Sequence, residues 1–196
     1  MLEVRTPQTF EFELAFTLPK GEEHDMDALN DIIWDIFPED DPLVGIGRKD
    51  QIGVMLELKG ENAEAVIFDA AKRILEVLPE GSELHEIHPD LVSLQEVATH
   101  LNVTRQTLRT KDLPAPYAGG LYRLSEISKC LHVEVKVKSK DGRFKMCIEE
   151  AKGWLDASTG AQKLNGLLAA GVIDRKSLSV NPVEQVVATQ QTGALG

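Results

Sequence analysis

Apolar residues in the first ninety positions change repeatedly between the spacing of a strand and that of a helix. Over residues 10–18 they fill every second position, which predicts a half-buried strand. Over residues 26–36 they recur at three- and four-residue spacing, with Asp25 available as a helix cap and Pro38 at the end. A chain with this pattern can bury its apolar surface by packing helices against one face of a sheet.

The same alternation continues to residue 88. Two further strands are predicted at residues 43–46 and 52–58, a helix of about five turns at residues 61–78, and a last strand at residues 82–88. The order βαββαβ is that of the ferredoxin-like sandwich, an antiparallel sheet with two helices on one face. We therefore predict an α+β protein whose residues 1–89 form an acidic ferredoxin-like domain for dimerisation or sensing.

Charge is distributed unevenly along the chain, whose formal net charge is −11. Residues 1–90 contain 7 Lys and Arg against 22 Asp and Glu, whereas residues 91–145 contain 10 against 5. Because salt screens a charge within roughly 8–10 Å, the local balance determines which partner a surface attracts. We expect the first segment to face something other than phosphate, and the second can bind phosphate.

Two short helices joined by a tight turn are predicted from residue 93 onward. Ser93 and Glu96 form a Ser-x-x-Glu capping box that opens the first helix. Asn102 stands where the turn needs a left-handed backbone, and Thr104 can cap the second helix. The apolar inner positions are Val97, Ala98, Leu101, Val103 and Leu108. This pattern predicts a helix-turn-helix, in which the second helix enters the major groove of DNA.

The outer face of this second helix carries polar and basic side chains. Arg pairs with guanine, Gln pairs with adenine, and Lys and Thr hydrogen-bond to phosphates or base edges. The predicted DNA contacts here are Thr104, Arg105, Gln106, Arg109, Thr110 and Lys111. The helix has only about two turns, which leaves the depth of its insertion into the groove open.

Several further features follow the second helix in a fixed order. They are a Leu-Pro-x-Pro loop at residues 113–116, the pair Gly119-Gly120, the pair Tyr122-Arg123 and a Ser-Glu-Ile helix start at residues 125–127. Together with the two helices, they resemble the MerR-like and phage-excisionase-like (AlpA-like) winged-helix families over residues 93–131, roughly a fifth of the chain.

This resemblance implies a DNA-binding winged helix-turn-helix, which we place at residues 90–132. It also implies recognition-helix contacts from Arg105, Gln106 and Arg109, and a wing contact from Arg123 to backbone phosphate.

Residues 133–180 are predicted to form a basic β-hairpin followed by short helices. Val alternates with charged residues over 133–138, so a strand would place Lys136 and Lys138 on one face. These two lysines are predicted either to add phosphate contacts beside the wing or to protect a solvated edge strand. A return strand is expected at residues 143–148, helices at 149–156 and 161–170, and a flexible tail at 181–196.

No catalytic, metal or cofactor motif stands out. The five histidines lack the HExxH spacing, and Cys130 and Cys147 are predicted to be reduced thiols, with metal binding by these and His132 left as an alternative. No apolar run approaches the roughly 18 residues of a membrane span, and the N-terminus lacks a secretory signal. We therefore expect a cytoplasmic protein that is not an enzyme.

These features together predict a sequence-specific transcriptional regulator that binds double-stranded DNA as a homodimer. One alternative is an antitoxin or phage accessory protein, whose acidic domain binds a basic protein partner while the winged helix autoregulates. A second alternative is a regulator that senses a small molecule through the N-terminal domain.

Overall fold

The computed structural model describes residues 7–21, 23–46, 50–138 and 148–181, with only the backbone described for residues 46 and 132–138. The first half contains β1 (Gln8–Thr17), α1 (Met26–Ile36), β2 (Leu43–Ile46), β3 (Gln51–Gly60), α2 (Ala63–Val77) and β4 (Glu83–His88). The second half contains β5 (Leu91–Val92), α3 (Leu94–His100), α4 (Arg105–Arg109), β6 (Tyr122–Arg123), α5 (Leu124–Lys138) and α6 (Lys152–Ala169).

The protein is α+β, with a four-stranded antiparallel sheet in the order β2-β3-β1-β4. Strands β1 and β3 pair along their whole length, with Phe12 opposite Leu56 and Leu14 opposite Val54. Strand β4 pairs with the other side of β1, and the register shifts between Ala15 and Phe16. The predicted order of strands and helices up to residue 88 is confirmed.

One face of this sheet is buried. The alternating apolar residues of β1 and of the position just after it are at most 2 % exposed: Phe10, Phe12, Leu14, Phe16 and Leu18. They share one cluster, here called the sheet core, with apolar residues of β3, α1, α2 and α6. The alternation arises because successive strand residues point to opposite faces and only one face meets helices.

Helix α6 corrects the prediction of two short helices at residues 149–156 and 161–170, because it is continuous from Lys152 to Ala169. The small residues at its centre do not break it. The Ser158 hydroxyl donates to the carbonyl of Leu155 within the helix, at 2.5 Å. Gly160 lies against the start of α2, where an added Cβ would be 2.7 Å from the backbone nitrogen of Glu64. Gly160 therefore permits close packing of the two helices.

A second cluster, the helical core, contains apolar residues of α3, α4, α5 and the start of α6, including Trp154 and Leu155. The later residues Ala157, Ala161 and Leu164 of α6 belong to the sheet core. A single helix thus contributes to both cores. Residue 89 follows the last strand of the sheet, but part of the sheet core comes from residues far beyond that boundary.

The predicted strand at residues 133–138 is wrong, because these residues belong to helix α5. The apolar stripe of Leu124, Ile127 and Leu131 starts this helix against the helical core, and adding residues to an existing helix is favourable. Positions two apart on a helix do not face the same way, so Lys136 and Lys138 do not form the predicted strand face. The predicted turn and most of the return strand, like residues 182–196, lie outside the described residues.

Within the described ranges, no helix combines the length and the apolar character needed to cross a membrane.

Candidate nucleic-acid interface

Helices α3 and α4 meet at a turn whose local hydrogen bonds follow the prediction. The Ser93 hydroxyl accepts from the Glu96 amide at 3.2 Å, and the Glu96 carboxylate accepts from the Ser93 amide at 3.1 Å, which completes the capping box. Asn102 has φ 50°, the left-handed backbone that the turn requires. The Thr104 hydroxyl accepts from the Thr107 amide at 3.1 Å and caps α4.

The inner side of this helix pair is buried. Val97, Ala98, Leu101 and Leu108 are fully buried and pack in the helical core with residues of α5 and α6. Helix α4 is therefore held by its Leu108 side, and its opposite side faces solvent.

The exposed side of α4 brings five of the predicted contact residues together. They are Thr104, Arg105, Gln106, Arg109 and Thr110, all of them exposed. Four of them line a shallow depression with Gln95 and Val103, and none of the described residues that line it is acidic. Lys111 is half-buried. The surface offers two guanidinium groups and a side-chain amide, which are donors suited to phosphates and base edges, while the Thr110 hydroxyl already donates to the carbonyl of Thr107 at 2.7 Å.

A small antiparallel ladder lies beside the helix pair. Leu91 of β5 pairs with Arg123 of β6, and the chain before β6 reverses at Gly119 and Gly120, where φ is 56° and 81°. Glycine adopts such positive φ values without steric cost. Tyr117 donates its amide to the carbonyl of Leu121 at 2.8 Å and closes the turn.

Arg123, the predicted wing contact to phosphate, has an intramolecular partner. Its guanidinium donates to the Asp90 carboxylate at 2.5 Å and lies 4.2 Å from the centre of the Tyr117 ring. The side chains of Arg123 and Asp90 are only 18 % and 6 % exposed. The hydrogen bond to Asp90 holds the pKa of Arg123 above its ordinary value, although burial opposes the shift. The structure thus places this charge in an ion pair within the protein.

Asp90 is a residue that sequence reasoning missed. Besides Arg123, it accepts a hydrogen bond from the side-chain amide of Asn165 at 3.1 Å. That amide group also bonds to the backbone of Ile87, through its nitrogen at 2.8 Å and its oxygen at 3.1 Å. The network joins the end of β4, the ladder and α6. Its members are 33 and 75 residues apart, and no local pattern signals such contacts.

A second junction connects α3 with α6. The His100 ring stacks on Trp154 of α6, with centroids 3.9 Å apart and planes at 9°. Burial raises the pKa of nearby Glu11 on β1, while the charge of His100 lowers it and that of Glu57 raises it further. The charge of Glu11 is therefore sensitive to His100, whose ring is held against α6.

Fewer contacts are described for the remaining predicted residues. Lys136 and Lys138 lie near the end of α5, and their side chains are outside the described structure. Cys130 is half-buried and forms no disulfide with the residues described, and Cys147 lies outside them. In the described part of the chain, no three His, Cys, Asp or Glu residues are grouped to hold a metal ion.

Comparisons of the chain with protein-family models, with curated proteins and with solved structures found no match.

Proposed function

We propose that this protein is a cytoplasmic transcriptional regulator that binds double-stranded DNA through α4 of a winged helix-turn-helix. The observation that carries the proposal is the two-sided character of α4. Leu108 is buried in the helical core, while Arg105, Gln106 and Arg109 are exposed and line one depression together. A helix held in this way presents its polar face to a groove. The function is binding, without a catalytic step.

Charge supports this surface over the rest of the molecule. Two Arg and no carboxylate line the depression on α4, and residues 91–145 carry twice as many basic as acidic residues. Neutralising phosphates and releasing their counterions supplies most non-specific affinity for DNA. The strongly acidic residues 1–90 would be repelled by the same phosphates, so the proposal orients α4 towards DNA and the sheet away from it.

In this proposal the other predicted contacts take different roles. Lys111, Lys136 and Lys138 are proposed phosphate contacts because of their charge, the last two from a helix rather than a strand. Arg123 is proposed to position the wing through Asp90, since its guanidinium already has that partner.

The N-terminal part is proposed to be a ferredoxin-like domain that forms a homodimer. The strand order β4-β1-β3-β2 with helices after β1 and β3 supports the fold assignment. A helix of five residues spans about 7.5 Å, the rise of about two base pairs. Two copies that bind half-sites one DNA turn apart would supply the specificity that one short helix lacks.

Selection of bound DNA from a random duplex pool tests the proposal. The recovered sites are then compared by mobility shift with the variants Arg105→Ala and Arg109→Ala and with Lys72→Ala as the control. Lys72 is an exposed cation on α2, so its removal changes net charge equally. Each α4 variant should reduce affinity by about 1–3 kcal/mol if it contacts a base, or lower the salt slope by about one if it contacts phosphate. Lys72→Ala should leave binding within about twofold of the parent.

Two results would overturn the proposal. One is a selection that yields no enriched sequence and no shift at low salt. The other is an equal loss of binding in Lys72→Ala and the α4 variants, because that would indicate attraction by net charge alone.

A further inference from the structure

Among the described residues, strand β3 has no partner on one of its edges over half of its length. It contains ten residues and β2 contains four, and the pairing of the two strands ends where Leu43 meets Met55. In the described part of the chain, no strand pairs with residues 56–60 on the side away from β1. Alternate backbone N–H and C=O groups of this stretch therefore point outward, as on any open sheet edge.

This edge forms one wall of a surface groove of about 940 Å³. Helix α2 forms another wall through Ala65, Val66 and Asp69, and the segment at residues 39–41 lies at its end. A groove bounded by a strand edge and a helix has the shape that accepts one more extended strand.

The charged groups around the groove are mostly acidic. Five carboxylates line it: Glu39, Asp40, Asp41, Glu57 and Asp69. The cations among the described lining residues are Lys59 and Arg73, and Arg73 is engaged within the protein. Its guanidinium donates to the carbonyl of Ile36 and lies 4.1 Å from the centre of the Phe37 ring. The groove is therefore complementary to a basic ligand.

Two exposed apolar side chains lie at the same place. Leu43 is 67 % and Met55 is 40 % exposed, and they sit opposite each other in the β2–β3 ladder. Adjacent exposed apolar residues beside an unpaired edge are typical of a protein-binding site.

We propose that this groove binds an extended basic segment of a partner protein, which adds to the sheet as a strand beside β3. Backbone hydrogen bonds to residues 56–60 hold the segment, its Lys or Arg side chains face the carboxylates, and an apolar side chain covers Leu43 and Met55. These carboxylates repel DNA, and a second copy of the chain bound here would bring two acidic grooves together. The site is separate from α4, so it stands or falls independently of DNA binding.

A fluorescent peptide of alternating Lys and Val tests the site on the full chain by anisotropy. The matched probe is the same peptide with alternate backbone amides N-methylated along one edge, because it keeps the charge and loses strand pairing. We expect saturable binding of the first peptide, weakened at least about tenfold by N-methylation. Amide hydrogen exchange at residues 56–60 should slow when the first peptide binds.

Charge-reversed variants separate the groove from general attraction. The double variant Glu39→Lys and Asp69→Lys should weaken binding at least about tenfold. The control Asp31→Lys and Glu80→Lys, at exposed positions outside the groove lining, carries the same net charge and should change binding by less than about threefold.

Three results would overturn the proposal. The first is the absence of saturable binding, and the second is equal binding of the N-methylated peptide. The third is a change in oligomeric state of the groove variant without peptide, measured by sedimentation, because the edge would then belong to an interface between two copies.

Discussion

Replacing Gly160 by alanine should destabilise the protein, although alanine is the better helix former. In an open helix position, Gly to Ala stabilises by roughly 0.5–1 kcal/mol. At Gly160 the new Cβ would lie 2.7 Å from the Glu64 backbone nitrogen and 2.9 Å from the carbonyl carbon and Cβ of Ala63. Backbone atoms cannot rotate away, so α6 has to shift from α2.

The energetic cost of this shift can be estimated. Inserting a methyl group into a closely packed interface costs about 1–3 kcal/mol, and here α6 also carries Ala157, Ala161 and Leu164 of the sheet core with it. After subtracting the helical gain, the Gly160→Ala variant should lose up to about 2 kcal/mol of its free energy of unfolding.

Gly166→Ala is the matched control on the same helix. Apart from the neighbouring backbone of α6 itself, no atom of the described residues lies within 4 Å of a Cβ placed there, so this variant should gain up to about 1 kcal/mol. Urea unfolding followed by far-UV circular dichroism measures both, and equal slopes against urea would show that only stability changed. If Gly160→Ala is as stable as Gly166→Ala, the close packing of α6 on α2 is refuted.

Three other substitutions test the polar contacts by the same unfolding measurement. Asp90→Ala should lower the free energy of unfolding by about 2–4 kcal/mol, because it leaves the largely buried Arg123 guanidinium without its carboxylate. A double-mutant cycle with Arg123→Ala that shows no coupling energy would contradict this. Burial raises the pKa of Glu11, so its ionised carboxylate destabilises the fold above that pKa. Glu11→Gln should therefore be more stable than the parent at neutral pH. This gain should disappear as pH falls towards about 4.3, the pKa of Glu in the unfolded chain. Hydrogen bonds from the amide and hydroxyl of Ser177 lower the pKa of Asp174, so the stability that its carboxylate contributes is present above about pH 3.9 and is lost as pH falls through the lowered pKa. Asp174→Ala should therefore cost about 0.5–1 kcal/mol at neutral pH and nothing in strong acid. A loss of stability that persists in acid would contradict this assignment.

The strands up to residue 88 could be predicted because one buried face leaves a period of two in the sequence. The helix starts could be predicted as well, since a cap is a contact between residues three apart. Asp25, Ser93 and Thr104 each accept from a backbone amide three positions later. Asn102 belongs to the same class, because its left-handed backbone is a local property of the turn.

The alternation of Val with charged residues at 133–138 gave a wrong prediction of a strand, because the packing of the segment decided its structure. Val favours strands only weakly, and its preference depends on what it packs against. The backbone there continues a helix that Leu124, Ile127 and Leu131 anchor in the helical core. The prediction of a break between two helices within α6 was wrong for the same reason, because Gly160 allows α6 to pack closely on α2.

By itself, the sequence determined the order of the elements up to residue 88, the turn between α3 and α4 and the exposed polar residues of α4. Each of these depends on neighbours along the chain or on which residues are buried. The tertiary structure alone decided that α6 contributes to both cores, that Arg123 pairs with Asp90, and that no described strand pairs with the outer edge of β3 over half of its length. Periodicity records that a side chain is buried or exposed, but not which distant segment it meets, and these three features are contacts between distant segments or the lack of one.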